Sequence, residues 1–259
     1  MNPVTRRQLL AATGIATAAS VLPADAAQGL PATIPSRPLK VVVAGAHPDD
    51  PESGCGGTIL RYTAAGHAVA IVYLTRGEAG IPGKAHHEAA AIRTAEAEKA
   101  CKIMGATPVF AGQIDGSTEV TRDRYAEYFK LIEEQKPDVI FTHWPIDTHL
   151  DHRACSMLTY HAWLKLGRHI PLYYFEVDLG GQTSLFHPTD YVDVTATVQA
   201  KQDACFCHIS QNAAAGFWAG YHEPMLRFRG MESGYKSAEA FVHHSQSAGG
   251  NLPSINRPE

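Results

Sequence analysis

The sequence predicts an α/β fold: a Rossmann-like, mostly parallel sheet flanked by helices on both faces, giving three αβα layers. Two observations predict it. The segments 39–46, 67–75 and 138–142 are nearly continuous apolar runs, as expected of strands that are buried on both faces. Segments with helical spacing lie between these runs, and this alternation is typical of βαβ units.

The remaining elements follow in the same alternation. A first helix is predicted over 55–66, ending at Gly66, and a second over 86–104, ending at Gly105. Beyond about residue 211 the pattern weakens, and we expect this tail to pack over the core or frame a site. The other predicted elements are strands at 107–111, 171–177 and 191–194 and helices at 121–136, 151–166 and 196–209.

The first 26 residues have the layout of an export signal. Arg6 and Arg7 precede a weakly apolar run, and the tripeptide at 24–26 is a small-x-small cleavage site, which is typical of a Tat-type signal peptide. We therefore expect an exported protein, periplasmic or secreted, without stable membrane insertion once the signal is removed. Residues 27–38 are interpreted as a proline-containing linker and residues 39–259 as a single domain.

Charge and cysteine content argue against two classes of function. The net charge is −4 (22 basic minus 26 acidic residues), and it becomes −5 (20 − 25) without residues 1–26. Because no basic run is present, nucleic-acid binding is not expected. The five cysteines form no CxxC pair, which argues against a thiolate zinc site, and we expect most of them to be buried as small apolar residues.

Two polar clusters directly follow predicted strands, at the sheet edge where ligands bind in such folds. Residues 47–52 (HPDDPE) follow the first strand, and residues 143–152 (HWPIDTHLDH) follow the strand at 138–142. A catalytic zinc requires about three protein ligands and an open position for water, and imidazole and carboxylate both suit it. One His and one Asp from the first cluster with one His from the second would complete that set, leaving Asp49 as the candidate general base.

The motifs resemble those of a known family. AHPDDPE at 46–52 is similar to the AHPDDxE signature of the PIG-L/LmbE-like de-N-acetylases, and HLDH at 149–152 is similar to their second motif, commonly HPDH. Leu150 replaces the usual proline, a change that we expect to alter the stiffness of the loop and not the ligand set. Weaker similarities extend the resemblance over about residues 40–245. They lie at 56–58, in the helix 93–105, where Met104 replaces leucine, and at 193–195, Lys201 and 208–211.

This resemblance implies a zinc-dependent hydrolase that removes an acetyl (acyl) group from an N-acetylated amino sugar or related conjugate, a small molecule or glycan. It implies His47, Asp50 and His152 as the ligands of one Zn²⁺ per chain, a set that also accepts other divalent metals. It implies Asp49 as the general base.

Three further roles follow from the same resemblance. His149 would polarise the carbonyl or stabilise the oxyanion, and Asp151 would tune the orientation and charge of His149. Arg93 would contact the substrate, as the corresponding arginine does in sugar-specific members. The alternative for Arg93 is a solvated helix residue, because arginine on a helix face is usually exposed.

Two other functions are consistent with part of these features: a metal-dependent hydratase or lyase of the same superfamily, and a non-catalytic metal- or sugar-binding protein. The lyase branch departs from AHPDD, whereas Asp49 and Asp50 are both present here. A storage site has no use for the spare carboxylate of Asp49. Among nearby polar residues, we expect Glu52 and His143 to support the ligands. For Asp147 two roles stay open: it supports the loop, or it contacts the substrate.

Overall fold

The computed structural model describes residues 37–177, 181–211, 218–247 and 252, so the predicted signal segment and nearly all of the predicted linker lie outside the described residues. The strands are β1 (Lys40–Gly45), β2 (Ala68–Thr75), β3 (Thr107–Gln113), β4 (Val139–His143), β5 (Leu172–Phe175), β6 (Asp190–Asp193) and β7 (Ala238–His243). The helices are α1 (Asp50–Ala64), α2 (His86–Met104), α3 (Arg122–Gln135), α4 (Leu150–Lys165), α5 (Val198–Cys205) and α6 (Glu223–Ser233).

The seven strands form one sheet in the order β3-β2-β1-β4-β5-β7-β6. Strands β1 to β5 pair in parallel, and β7 pairs antiparallel with both β5 and β6. The predicted mostly parallel α/β sheet is therefore confirmed. The pattern analysis did not find α6 or β7. Strand β7 carries the buried Glu239 within its apolar residues, which interrupts the run that would have identified it.

The helices cover both faces of the sheet, which confirms the three layers. On β1, Val41 and Val43 face one hydrophobic core, shared with α1, α2 and α5. Val42 and Ala44 face a second core, shared with α3 and α4. This alternation follows from the two-residue period of a strand. Four of the five cysteines are buried, all five are free, and no helix in the described ranges is both long and apolar enough to cross a membrane.

The order of the strands brings the two polar clusters together. Strand β1 pairs with β2 on one side and with β4 on the other, so the direction of chain progression reverses between β1 and β4. Ligands in open α/β sheets bind at the carboxyl ends of strands at such a switch point. The cluster at 47–52 follows β1, and the cluster at 143–152 begins at the last residue of β4.

Helix α1 begins at Asp50, five residues before the predicted start at residue 55. The reason is a capping interaction that the sequence contains: Asp49 precedes the helix, and the side chain of Glu52 accepts a hydrogen bond from the Asp49 N–H at 3.2 Å. Pro51 lies in the first turn, where its missing N–H has no cost. The predicted ligand Asp50 is therefore fixed by a helix and not by a loop.

Candidate metal centre and active site

The three predicted metal ligands meet at the carboxylate of Asp50. Its Oδ2 lies 3.2 Å from Nδ1 of His47, and its Oδ1 lies 3.3 Å from Nε2 of His152. His47 follows β1 and His152 lies in the first turn of α4, and all three side chains are nearly excluded from bulk solvent. The described residues thus hold histidine and aspartate side chains able to bind a metal ion, and the predicted trio is divided between overlapping groups: one holds Asp50 and His152 with His143, and another holds His47 and His152 with His149.

Both candidate histidine ligands are supported by carboxylates through their other ring nitrogen. Nε2 of His47 lies 3.0 Å from Oδ2 of Asp151 and 3.1 Å from Oδ1 of Asp115. Nδ1 of His152 lies 3.2 Å from Oδ2 of Asp147. Metal-ligating histidines usually donate this outer N–H to a carboxylate, which fixes the tautomer and orients the ring. The residues therefore fit a divalent cation. The sequence analysis missed Asp115, whose position just after β3 was the available signal.

The charges in this cluster favour a cation. Burial acts to lower the pKa of His47, but hydrogen bonds that its ring donates to Asp115, Asp151 and Asp50 outweigh burial and raise that pKa well above 6.5. Burial likewise opposes the shift of His152, whose pKa is raised to about 9 chiefly by Asp50. In the metal-free site the excess of carboxylates is thus balanced by protons on imidazoles, and a metal ion would replace those protons.

Asp49 is placed beside the ligands without joining them. Its side chain is 25% exposed and lines the cavity, and burial raises its pKa to about 6, although Arg93 acts in the opposite direction. A carboxylate with a pKa near the working pH is suited to general base catalysis.

His149 faces the same cavity as a neutral hydrogen-bond donor. Its Nδ1 accepts the Asp151 N–H at 3.2 Å, which assigns the ring proton to Nε2. Burial lowers the pKa of His149, and its ring centroid lies 4.7 Å from that of His47.

The carboxylate of Asp151 does not contact the ring of His149. It contacts His47, and it accepts hydrogen bonds from Gly116 N–H at 2.7 Å and Thr118 Oγ1 at 2.6 Å. Asp151 thus meets His149 through its backbone, and its side chain orients His47.

The supporting residues lie behind the ligands. Glu52 is fully buried and accepts hydrogen bonds from Tyr73 OH at 2.6 Å and His208 Nε2 at 3.0 Å, in addition to the Asp49 N–H. His143 stacks on His152 at 4.0 Å, and its Nε2 accepts the backbone N–H of residue 46 at 3.0 Å. Burial lowers the pKa of His143 to about 4, so it remains neutral behind the ligands.

The sequence left the roles of Asp147 and Arg93 open, and both side chains have defined contacts in the structure. Asp147 accepts the His149 N–H at 2.7 Å and Thr183 Oγ1 at 3.2 Å, and its Oδ2 faces His152, so it supports both the loop and a ligand. Arg93 is not solvated: it is 3% exposed and contacts Pro48 and Asp49.

A cavity of about 280 Å³ opens over these residues. This volume is near the lower end of the range for small-molecule sites. Besides the histidines and Asp50, its wall carries the charged residues Asp49, Arg93 and Asp115 and the polar side chains of Ser53, Gln182 and Gln211. The site therefore combines a cluster able to bind a metal ion, the separate carboxylate of Asp49 and neutral hydrogen-bonding groups in one space.

The fold and this site define a class of α/β protein with a metal-binding cluster at the switch point of the sheet. Residues 42–163 match the PIG-L family model, described as GlcNAc-PI de-N-acetylase. The matched segment contains both motifs, and it supports the resemblance to the PIG-L/LmbE-like N-deacetylases that the motifs indicate.

The chain is also similar to individual proteins, in sequence to one of them and in fold to two. The chain is 28% identical over 219 residues to a diacetylchitobiose deacetylase from Thermococcus kodakarensis, an alignment that covers 77% of this chain and 81% of that protein. The fold matches the structure of N,N'-diacetylchitobiose deacetylase from Pyrococcus horikoshii with a TM-score of 0.71 and 23% identity, over 80% and 85% of the two chains. It also matches 4-carboxy-2-hydroxymuconate hydratase from Pseudomonas putida KT2440, with a TM-score of 0.69 and 21% identity over 85% and 100% of the two chains.

Proposed function

We propose that this protein is a zinc-dependent N-deacetylase that hydrolyses the acetamido group of an N-acetylated amino sugar or a related conjugate. The observation that carries the proposal is the placement of Asp49: a partly exposed carboxylate with a raised pKa, next to a buried group of His47, Asp50 and His152. The match to the PIG-L model and the deacetylase relative support the same reaction and substrate class.

The proposed reaction divides the work among the residues of the site. A metal held by His47, Asp50 and His152 would polarise the amide carbonyl and lower the pKa of water. Asp49 accepts the proton of the water molecule as its oxygen bonds to the carbonyl carbon. The Nε2–H of His149 donates to the carbonyl oxygen as negative charge develops there, the type of interaction that contributes most in acyl transfer. Asp49 then delivers its proton to the amine nitrogen as the C–N bond breaks, releasing acetate and an amine.

The cavity wall supports a polar substrate. Ser53, Gln182 and Gln211 present hydroxyl and amide groups that can both donate and accept hydrogen bonds. These are the groups that sugar hydroxyls require, since each hydroxyl also donates and accepts.

The hydratase alternative is less well supported. The fold is shared with a hydratase, but a shared fold does not determine the reaction. Asp49 and Asp50 are both present, and the partial exposure and raised pKa of Asp49 suit a base, which favours hydrolysis of an amide.

The test measures metal content and acetate released from a panel of N-acetylated mono- and disaccharides, including N-acetylglucosamine and N,N'-diacetylchitobiose. We expect about one zinc ion per chain and acetate release from at least one sugar. Asp49→Ala should keep the metal and lose 10²–10⁴-fold in turnover, roughly the contribution of a general base, whereas His152→Ala should lose both. Asp123→Asn, an exposed change on α3, is the control. A zinc-loaded wild type that releases no acetate, or a fully active Asp49→Ala, would overturn the proposal.

We also propose that the protein acts after export, supported by the paired Arg6 and Arg7 and the small-x-small tripeptide at 24–26. Expression of the full chain in a host with a Tat system tests this. The exported fraction should begin near residue 27, and Arg6→Lys with Arg7→Lys should retain the uncleaved protein inside the cell.

A further inference from the structure

An open groove of about 590 Å³ lies between α3 and α4, away from the metal centre. Its floor is apolar and aromatic, and the ring centroids of Tyr125 and His161 lie 4.4 Å apart there. Two cationic side chains also line it, whereas no carboxylate among the described residues does. The groove therefore matches a partner that is both apolar and negatively charged. The lining residues are Arg122, Tyr125, Ala126 and Phe129 of α3 with His161 and Lys165 of α4.

Three charged residues around this groove form no ion pair within the described ranges. Arg122 and Lys165 are its exposed cations. Glu133 is an exposed carboxylate one helical turn beyond Phe129, on the same side of α3. Along this side, α3 thus begins with a cation, is apolar in the middle and ends with a carboxylate.

Helix α4 extends the apolar surface beside the groove. Met157 lies one turn before His161 and is 50% exposed, and Leu150 at the start of the helix is 53% exposed. Helical spacing places both on the same side of α4 as His161 and Lys165. Together with the groove and Glu133, they form one surface, the α3/α4 face. Exposed apolar side chains that are grouped in this way mark an interaction surface.

The exposed stripe of α3 is complementary to an antiparallel copy of itself. Arg122 and Glu133 lie equally far from one point in the helix, on opposite sides of it, and the same point lies midway between Ala126 and Phe129. A two-fold axis through this point, perpendicular to the helix, brings Arg122 opposite Glu133 of the second copy, and this contact occurs twice. The same axis brings the small Ala126 opposite the phenyl ring of the second copy, so the two helices can approach closely.

We propose that the α3/α4 face binds a second copy of this chain in a two-fold dimer, with the two α3 helices antiparallel. A small acidic ligand would match the cations of the groove but would leave Glu133 and the exposed Met157 and Leu150 without a partner. A second copy matches the cations, the carboxylate and the apolar residues together. The proposal does not depend on the reaction that the protein catalyses, and its test requires no substrate.

Sedimentation equilibrium of the full chain measures the association. We expect a monomer–dimer equilibrium with a Kd between about 1 μM and 1 mM, since an interface built from two helices of each copy is small. Arg122→Glu alone and Glu133→Arg alone should each weaken the dimer at least tenfold, because each variant places like charges at both contacts. Glutamate at the start of a helix and arginine near its end suit the helix dipole, so neither change weakens α3 itself.

The double variant, Arg122→Glu with Glu133→Arg, tests the geometry. Its net charge equals that of the wild type, and an antiparallel dimer of it again has opposite charges at both contacts, whereas a parallel one does not. We expect its Kd to return to within about threefold of the wild-type value. Ala126→Lys, at an exposed position, should prevent dimerisation by filling the space that Phe129 of the second copy requires. The matched control is Lys99→Glu, a charge reversal at an exposed position of α2 on the opposite side of the sheet, which should leave the Kd unchanged.

Several outcomes would overturn the proposal. A wild-type chain that remains a monomer up to about 1 mM has no such interface. A dimer whose Kd is unchanged in Arg122→Glu or Ala126→Lys associates through another surface, and a double variant as weak as the single ones excludes the antiparallel contact. Calorimetry with laurate examines the other occupant: a monomeric wild type that binds laurate, with binding lost in Arg122→Glu, would identify the groove as a site for a fatty acid instead.

Discussion

Two adjacent carboxylates show how the environment of a residue determines its role. Burial acts to raise the pKa of both, but Asp50 faces His152, whose charge helps to hold the pKa of Asp50 well below its usual value. For Asp49, burial outweighs the opposing charge of Arg93, and its pKa is raised to about 6. Titratable groups whose pKa values are driven apart in this way are suited to different roles, as the proposed function requires of a metal ligand and a base.

The carboxylate behind His152 should determine how tightly the metal is held. Asp147→Asn preserves the shape of the side chain and removes the charge that faces Nδ1 of His152 at 3.2 Å. We expect a 10–100-fold loss of zinc affinity, measured by competition with a chromophoric chelator, with the fold retained. Asp123→Asn on the exposed face of α3 is the control. An unchanged affinity would show that this carboxylate does not determine how tightly the metal is held.

His222 should make the protein sensitive to acid. The residue is buried, and burial lowers its pKa to about 3, whereas the unfolded chain has a value near 6.5. Between these values the unfolded state binds a proton that the folded state does not, so stability falls as the pH drops through this window. The limit is about 1.4 kcal/mol per pH unit, or roughly 2 kcal/mol between pH 7.5 and 5. Urea unfolding of metal-free protein should show a smaller loss over this interval for His222→Gln, and an equal loss would exclude this role.

At the scale of elements, α1 is braced by a buried ion pair between α5 and β7. Lys201 of α5 is fully buried and donates through Nζ to Ser53 O and to Oε1 of Glu239, each at 2.6 Å. Glu239 of β7 in turn accepts the N–H groups of Gly57 and Thr58 at 2.8 and 2.7 Å. The helix that begins at Asp50 is thus fixed by charges from two elements near the end of the chain.

Lys201→Met should therefore destabilise the fold strongly. The change leaves the carboxylate of Glu239 buried without its cation, and removing one partner of a buried pair costs about 3–5 kcal/mol. The measurement is the free energy of unfolding in urea. Lys102→Met, which removes an exposed lysine of α2, should change it by less than about 0.5 kcal/mol. A loss below about 1 kcal/mol for Lys201→Met would mean that Glu239 takes up a proton at little cost.

At the scale of the molecule, the sequence predicted the elements of the parallel half and much less of the antiparallel one. Strands such as β1 and β4 are continuous apolar runs because both faces are buried, and that pattern is local. The ion pair of Lys201 and Glu239 is not a local pattern. From the sequence alone each would be predicted to lie at the surface, and only the fold brings them together. The same limit applies to the site. Motifs placed His47, Asp49 and Asp50 together, whereas the contacts of Asp115 and Arg93 depend on how separate loops meet.

Because the C-terminal elements contact the parallel half of the fold, we predict that residues 42–163, which match the PIG-L model, do not fold on their own. A chain shortened to residues 34–169 keeps β1–β4 and α1–α4, and with them the whole match at 42–163. It exposes the edge of β4 that pairs with β5, and it removes Lys201 and His208 from α1. We expect no cooperative thermal unfolding by circular dichroism and strong binding of a hydrophobic dye, because buried polar groups of α1 lose their partners. The chain 34–259 retains every described element and should unfold cooperatively with a Tm close to that of the full chain. A cooperative transition in the shorter chain would show instead that the C-terminal elements serve the site without being needed for the fold.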